Sequence, residues 1–130
     1  MYTITIKIEG SYGKADIFTV SERAHSAIIQ HHYDSIKKIK KLDERSITKD
    51  EFNIIFKAFM NVNFNELFKE NPDLIAADGW TLICSISNGS AEISISVWYP
   101  EKDLSKPETK KLIEACKLVC PVLEIEKYAL

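Results

Sequence analysis

The amino-acid sequence predicts an α+β domain in which helices pack on an antiparallel sheet. Three observations support this class: an alternating strand pattern at the start, an Asn-Gly pair between two apolar strands, and three amphipathic helical segments. No internal linker or repeat divides the 130 residues, so we expect a single domain over residues 1–130. The expected element order is ββααββα, and the sequence leaves open whether a final strand follows the last helix.

The N-terminal residues predict a β-hairpin. Apolar and polar residues alternate from Tyr2 to Ile8, which is the period of a strand with one buried face. Gly10 and Gly13 lie in the polar stretch that follows, and Asp16–Val20 returns as the second strand. The loop can close at several lengths, so the sequence leaves the register of this pair open.

A long amphipathic helix is expected from Glu22 to Leu42. Ser21 supplies an N-cap oxygen, and Glu22 places an acid in the first turn. At 100° per residue, lysines 37, 38, 40 and 41 fall opposite one apolar arc. That arc contains Ala24, Ile28, His32, Ile36, Ile39 and Leu42.

The next helix begins at a capping box, with Thr48 at the cap and Glu51 three residues later. Its apolar face is rich in phenylalanine and includes Phe52, Ile55, Phe56, Phe59, Met60 and Val62. Helical structure is expected to resume at Phe64 and to end before Pro72. This segment is the most apolar in the chain, so we expect it to pack on the sheet.

Trp80–Ser87 and Ser90–Tyr99 are two strand patterns that flank Asn88-Gly89, the preferred pair for a type I′ turn. With Asn88 and Gly89 at the centre of the turn, Ser87 opposes Ser90. Counting outward then predicts apolar pairs on one face of the hairpin, namely Cys84–Ile93, Leu82–Ile95 and Trp80–Val97.

The C-terminal part predicts a helix from Pro107 to about Cys120, opened by a first-turn proline. Pro121 interrupts it. Val122–Tyr128 is expected as a short last strand, with a frayed helical turn as the alternative.

Composition and targeting signals bound the class of protein. The formal net charge is −2, which is not the footprint of a nucleic-acid-binding protein. The chain shows no secretory signal pattern and no apolar stretch near the ~20 residues that span a bilayer. Its three cysteines are an odd number, which favours free thiols in a reducing compartment. We therefore expect a cytoplasmic protein with no membrane or nucleic-acid partner.

Candidate catalytic and metal sites are weak. His31-His32 with Asp34 suggests acid–base chemistry, but adjacent positions on a helix point about 100° apart, which favours surface or core-edge histidines. Cys84, Cys116 and Cys120 lack the paired spacing of a zinc site, and buried free thiols are the favoured interpretation. No phosphate loop or nucleophile elbow is present. We expect no cofactor, no metal and no catalytic residue.

Charge is distributed unevenly along the chain. Ten basic and eight acidic residues give residues 1–65 a charge of +2, whereas seven basic and eleven acidic residues give residues 66–130 a charge of −4. These acids would suit a basic partner, with scattered solubilising charge as the alternative. By alternation Trp98 lies on the face that carries serine and threonine, where an exposed aromatic would anchor a partner. The candidate partner-binding residues are Glu66, Glu70, Asp73, Asp78, Trp98, Glu101 and Asp103.

The stretch Asp78-Gly79-Trp80, the Asn88-Gly89 hairpin, Trp98-Tyr99-Pro100 and the following helix resemble a pattern in small bacterial immunity proteins of polymorphic and contact-dependent toxin systems. The resemblance covers about 40 of the 130 residues. It implies a cytoplasmic, non-enzymatic domain that binds and blocks one cognate toxin, and it carries over no contact residue.

Together these observations lead us to expect an immunity protein whose acids cover the active site of a basic nuclease toxin. The alternative is a small enzyme or ligand-binding domain with its site on the sheet face, where histidine and aspartate would supply acid–base groups. A third class, a subunit that self-associates through an exposed sheet face as a homodimer, also remains open.

Overall fold

A computed structural model describes residues 1–10, 13–35, 38–70, 81–98 and 106–120. These residues form a six-stranded antiparallel sheet and three helices, which confirms the predicted α+β class. The strands are β1 (Thr3–Glu9), β2 (Ala15–Glu22), β3 (Ser26–Ser35), β4 (Lys38–Thr48), β5 (Thr81–Ser87) and β6 (Glu92–Trp98). The helices are α1 (Lys49–Met60), α2 (Phe64–Glu70) and α3 (Pro107–Val119).

The N-terminal strand β1 occupies the middle of the sheet, whose strand order is β4-β3-β2-β1-β5-β6. Its alternating isoleucines, Ile4, Ile6 and Ile8, are at most 1% exposed. Residues directly opposite in an antiparallel pair share a face. Ile4 therefore continues the apolar layer to Val20 on β2 and to Ile86 on β5. The predicted hairpin of β1 and β2 is confirmed.

The three helices cover the face of the sheet that carries these isoleucines. α1 begins at the predicted capping box, in which the Thr48 hydroxyl accepts the Glu51 N–H and the Glu51 carboxylate accepts the Thr48 N–H. Helical and sheet residues form one hydrophobic cluster, which includes Phe52, Phe59, Leu67, Leu112, Val119, Leu82 and Val97. The phenylalanine-rich segment thus packs on the sheet as predicted.

The predicted helix over Glu22–Leu42 is wrong, because this segment forms the end of β2 and the strand pair β3–β4. In β3 the buried residues Ala27 and Ile29 follow a period of two. Ile29 lies opposite Val20, so β3 extends the apolar face of the sheet beyond β2. Without β3, Val20 would lie on an edge strand. Pairing with β2 outweighs the helical periodicity, since residues far apart in sequence decide which face is buried.

The hairpin of β5 and β6 exists, but its predicted register is wrong by two residues. Cys84 lies opposite Ile95 and Leu82 opposite Val97, and the two-residue loop consists of Gly89 and Ser90. The side-chain oxygen of Asn88 accepts the N–H groups of Ser90 and Ala91, both at 2.9 Å.

The backbone conformation of Gly89 fits the observed turn. It has a φ of +93° at the first central position, where a type II′ turn carries glycine. A shift of two residues keeps every side chain on its face. The predicted division into an apolar and a polar face is therefore confirmed.

Helix α3 confirms the predicted C-terminal helix that starts at Pro107. The expected last strand Val122–Tyr128 lies outside the described residues. Within the described ranges, every helix is too short or too polar to cross a membrane.

Candidate functional site

Glu70, one of the acids predicted to bind a partner, is bonded inside the fold. It stands at the end of α2, and its carboxylate accepts the backbone N–H groups of Glu108 at 3.0 Å and Thr109 at 2.9 Å. The Thr109 hydroxyl donates a further bond at 3.0 Å. Since Lys106 at the N-cap provides no side-chain bond, Glu70 takes over the capping of α3. Its carboxylate therefore has a structural role.

A second acid fastens the other end of α2 to the same turn of α3. The carboxylate of Glu108 accepts the backbone N–H of Asn63 at 2.7 Å, and Lys111 lies 3.0 Å from it. The Asn63 N–H, followed by the Lys111 ammonium, holds the pKa of Glu108 below its ordinary value of 4.5. Both ends of α2 are thus bonded to the first turn of α3.

Glu66 presents its side chain outward. It lies in the first turn of α2, where its N–H donates to the side-chain oxygen of Asn63 at 3.1 Å. Its carboxylate is 3.2 Å from the ammonium group of Lys69, and both side chains are more than half exposed. An exposed pair of this kind contributes little to stability, so Glu66 can exchange Lys69 for a partner.

The remaining predicted contact residues belong to two connections. Asp73 and Asp78 lie in residues 71–80, and Glu101 and Asp103 lie in residues 99–105, all outside the described residues. We call these two segments the acidic connections. Trp98 ends β6, and its backbone pairs with Thr81 at the start of β5.

The described residues bring the ends of the acidic connections together in two places. Residues 71–80 leave α2 directly after Glu70, and residues 99–105 enter α3 just before Glu108, to which Glu70 is bonded. At the other end, Thr81 and Trp98 are ladder partners. The described residues that flank one connection therefore lie beside those that flank the other. They carry four acidic residues and one basic residue, Lys102.

One polar pair was missed by the sequence analysis. His31 Nε2 lies 2.7 Å from Asp16 Oδ1, and the His31 ring stacks on Phe18 with the ring centroids 4.1 Å apart. Asp16 is only 7% exposed, whereas the His31 side chain is 24% exposed. The predicted helix gave no reason to pair these residues, because only a strand that pairs with β2 places His31 on the same face of the sheet as Phe18.

The three residues of the alternative acid–base site, His31, His32 and Asp34, are divided between the two faces of the sheet. His31 lies on the helix-covered face, opposite Phe18, whereas His32 lies opposite Ile17 on the other face. Asp34 shares the face of His32, since side chains alternate along a strand. This trio therefore does not form one site.

The three cysteines are buried free thiols, as their apolar surroundings predicted. The Sγ atoms of Cys84 and Cys116 are 3.7 Å apart. The hydrogen bond to the Cys84 thiol, together with burial, raises the pKa of the Cys116 thiol well above its ordinary value. Burial also raises the pKa of Cys120. Thiols held protonated in this way are poor nucleophiles and metal ligands. In the described part of the chain, no cluster of three His, Cys, Asp or Glu side chains could hold a metal ion.

The outer surface of the helices has a separate, shallow apolar groove between α1 and α3. Ile54 is 61% exposed, Met60 49% and Leu118 45%, and Lys57, Ala58 and Asn61 complete the lining. Exposed side chains of this size are a second surface on which a protein could dock.

Comparison with known proteins adds no relative, because no protein-family model and no curated protein sequence matches this chain.

Proposed function

We propose that this chain is a cytoplasmic immunity protein that binds a basic toxin, of the nuclease class, and covers its active site. The proposal rests on the acidic connections and on the resemblance of residues 78–120 to immunity proteins. A nuclease active site receives phosphate, so its positive potential attracts carboxylates.

The observation that carries the proposal is the double pairing of Glu70 with Glu108 and of Thr81 with Trp98. The two segments that carry the four acids are thereby attached to the described residues at neighbouring points, although the acids are separated by up to 30 positions in sequence. Clustered charges of one sign increase the rate of encounter with an oppositely charged partner, and buried aromatics supply much of the binding energy. Trp98 is the last residue of β6, directly before residues 99–105, and it is the aromatic residue that we propose as the anchor.

The first experiment is capture of the tagged full chain from its native cell lysate, followed by an assay of the activity of any protein bound at one-to-one ratio. We expect the captured protein to be basic, to cleave nucleic acid and to be inhibited by the purified chain. A captured protein whose activity is unchanged by saturating chain contradicts the proposal.

A charge-matched pair of variants then tests the surface. The connection variant combines Asp73→Asn, Asp78→Asn, Glu101→Gln and Asp103→Asn. The control variant removes four exposed or half-exposed carboxylates elsewhere through Asp34→Asn, Asp43→Asn, Asp50→Asn and Glu114→Gln. Both variants gain the same net charge. We expect the connection variant to bind at least about tenfold more weakly, since charge pairs at interfaces contribute well over 1 kcal/mol, while the control stays near wild type. Equal loss in both variants would assign the effect to net charge alone.

Leu118→Glu, in the groove between α1 and α3, tests the other surface. We expect this variant to bind the toxin as the wild type does. If Leu118→Glu abolishes binding and the connection variant does not, the groove is the interface and the acidic connections are not.

The alternative, a small enzyme or ligand-binding domain, is favoured by the Asp16–His31 pair. Its hydrogen bond would orient the imidazole as a general base. In that case the captured material would contain a small molecule and no stoichiometric protein, and binding of that molecule would be lost in His31→Gln.

A further inference from the structure

The two outer strands of the sheet differ sharply in charge. The edge strand β4 carries six charged residues among its eleven, Lys38, Lys40, Lys41, Asp43, Glu44 and Arg45, and the ladder that joins it to β3 contains an irregularity at His31/His32. Charged side chains and bulges are the devices that prevent an edge strand from pairing with another chain. β6 carries a single charge, Glu92, in seven residues, and among the described residues it pairs only with β5.

The side chains of β6 continue the core to this edge. Ile95 is 5% and Val97 1% exposed, whereas Ile93 on the same face is 49% exposed. Ser94 and Ser96 point to the opposite face and are exposed. The apolar layer of the sheet thus remains partly open at the start of β6.

Among the described residues, the backbone groups of β6 that bond to no neighbouring strand lie at alternate residues. The Asn88 N–H donates to the Ala91 oxygen, so Asn88–Ala91 is a hydrogen-bonded pair of the hairpin. Hydrogen-bonded pairs recur at every second position of an antiparallel ladder. Ile93, Ile95 and Val97 therefore bond toward β5, while Glu92, Ser94, Ser96 and Trp98 direct their N–H and C=O groups outward.

We propose that β6 is a dimerisation edge, which pairs antiparallel with β6 of a second copy around a two-fold axis at Ile95. In this register Ser94 lies opposite Ser96 of the second copy, and the outward backbone groups of both residues meet. Ile93 lies opposite Val97 of the second copy, so the apolar layers of the two sheets become continuous. Glu92 lies opposite Trp98 of the second copy.

A second copy fits this edge because the strand is complementary to itself. A two-fold interface joins the same patch on both subunits, so any charge near the axis would meet its own copy. Ser94, Ile95 and Ser96 are all uncharged, and the single acid lies at the end of the strand, where it opposes an aromatic residue. No like charges are opposed. β4 has no uncharged centre of this kind, because pairing around its middle residue would oppose Asp43 to its own copy and Lys41 to Arg45.

The test is the mass of the full chain in solution across a range of concentrations. We expect the wild type to shift from monomer toward twice the monomer mass as the concentration rises. A wild-type chain that stays monomeric overturns the proposal, whatever part of the chain covers the edge instead.

Paired charge substitutions test the register. Ser94→Lys/Ser96→Lys places lysine opposite lysine twice across the axis, on side chains that are exposed in the monomer. Like charges directly opposite each other destabilise a strand pair. We expect the dimer dissociation constant to rise at least about tenfold, and to recover in ~1 M salt.

The matched variant Ser94→Lys/Ser96→Glu places lysine opposite glutamate twice and is expected to restore the dimer at low salt. Ser46→Lys, on the other edge strand, is expected to leave it unchanged. A dimer that survives Ser94→Lys/Ser96→Lys, or one that Ser46→Lys dissociates equally well, overturns the assignment to β6. Failure of the lysine–glutamate variant to dimerise overturns the proposed register.

Discussion

The carboxylate of Glu70 at the end of α2 accepts both the backbone N–H and the hydroxyl of Thr109 in the first turn of α3. The first N–H groups of a helix have no partner within the helix, and a side chain from the same segment usually satisfies them. Here a residue 39 positions earlier in the chain does so. The bond therefore joins two helices while it caps one of them.

Glu70→Ala is expected to destabilise the fold by about 1–2 kcal/mol, because it removes the carboxylate that accepts the N–H groups of Glu108 and Thr109 at the start of α3. Glu70→Gln should cost less, since the amide oxygen still accepts one bond. Urea denaturation followed by circular dichroism measures both values. The control is Glu66→Ala on the same helix, for which we expect a change within about 0.5 kcal/mol. Equal effects at the two positions would contradict the capping role of Glu70.

The stability of the protein is expected to fall on acidification partly through Glu108. Its folded-state pKa lies below the ordinary value of 4.5, so it contributes stability that is present above pH 4.5 and lost as the pH falls through the lowered pKa. Glu108→Gln removes this titration but keeps an oxygen that can accept the Asn63 N–H. We expect the variant to have a flatter dependence of unfolding free energy on pH between about 5 and 3.

The measurement is a series of denaturant titrations across that pH range, with Glu114→Gln as the control for the loss of one exposed carboxylate from α3. If Glu108→Gln follows the wild-type curve in parallel, the carboxylate of Glu108 does not contribute to the acid sensitivity of the fold.

The Asp16–His31 pair predicts that losing both partners costs less than losing one. His31→Phe keeps an aromatic ring against Phe18 but leaves the nearly buried Asp16 carboxylate without its imidazole, at an expected cost of about 2–3 kcal/mol. In Asp16→Leu/His31→Phe both polar groups are absent, and we expect part of this loss to be recovered. The control His32→Phe, on the other face of the sheet, should change stability by less than about 0.5 kcal/mol. Strictly additive effects of the two substitutions would show that the pair is not coupled.

The sequence predicted well those elements whose signals are local. The Thr48–Glu51 capping box, the first-turn Pro107 and the alternation of Ile4, Ile6 and Ile8 each depend on neighbours within a few residues. The prediction for residues 22–42 was wrong for the opposite reason. Its apolar residues fit a helical arc, and the strand conformation is favoured only because β3 pairs with β2 and places Ile29 beside Val20.

The candidate site was predictable to a lesser degree. Composition and charge indicated an acidic second half, but the type of residue could not separate Glu66, which is exposed, from Glu70, which caps a helix. That distinction depends on α2 and α3 meeting in space. The Asp16–His31 pair could be found only from the β2–β3 register, which the helix prediction excluded.

The shift of two residues in the β5–β6 hairpin means that the hydrophobic core cannot distinguish two arrangements of this ribbon. Moving the turn from Gly89-Ser90 to Asn88-Gly89 would exchange Cys84–Ile95 for Cys84–Ile93 and still bury only apolar side chains. The choice rests on a few bonds at the tip, chiefly the two that Asn88 accepts, each worth about 1 kcal/mol. A single solvent-exposed amide therefore fixes the frame in which the whole outer strand is aligned.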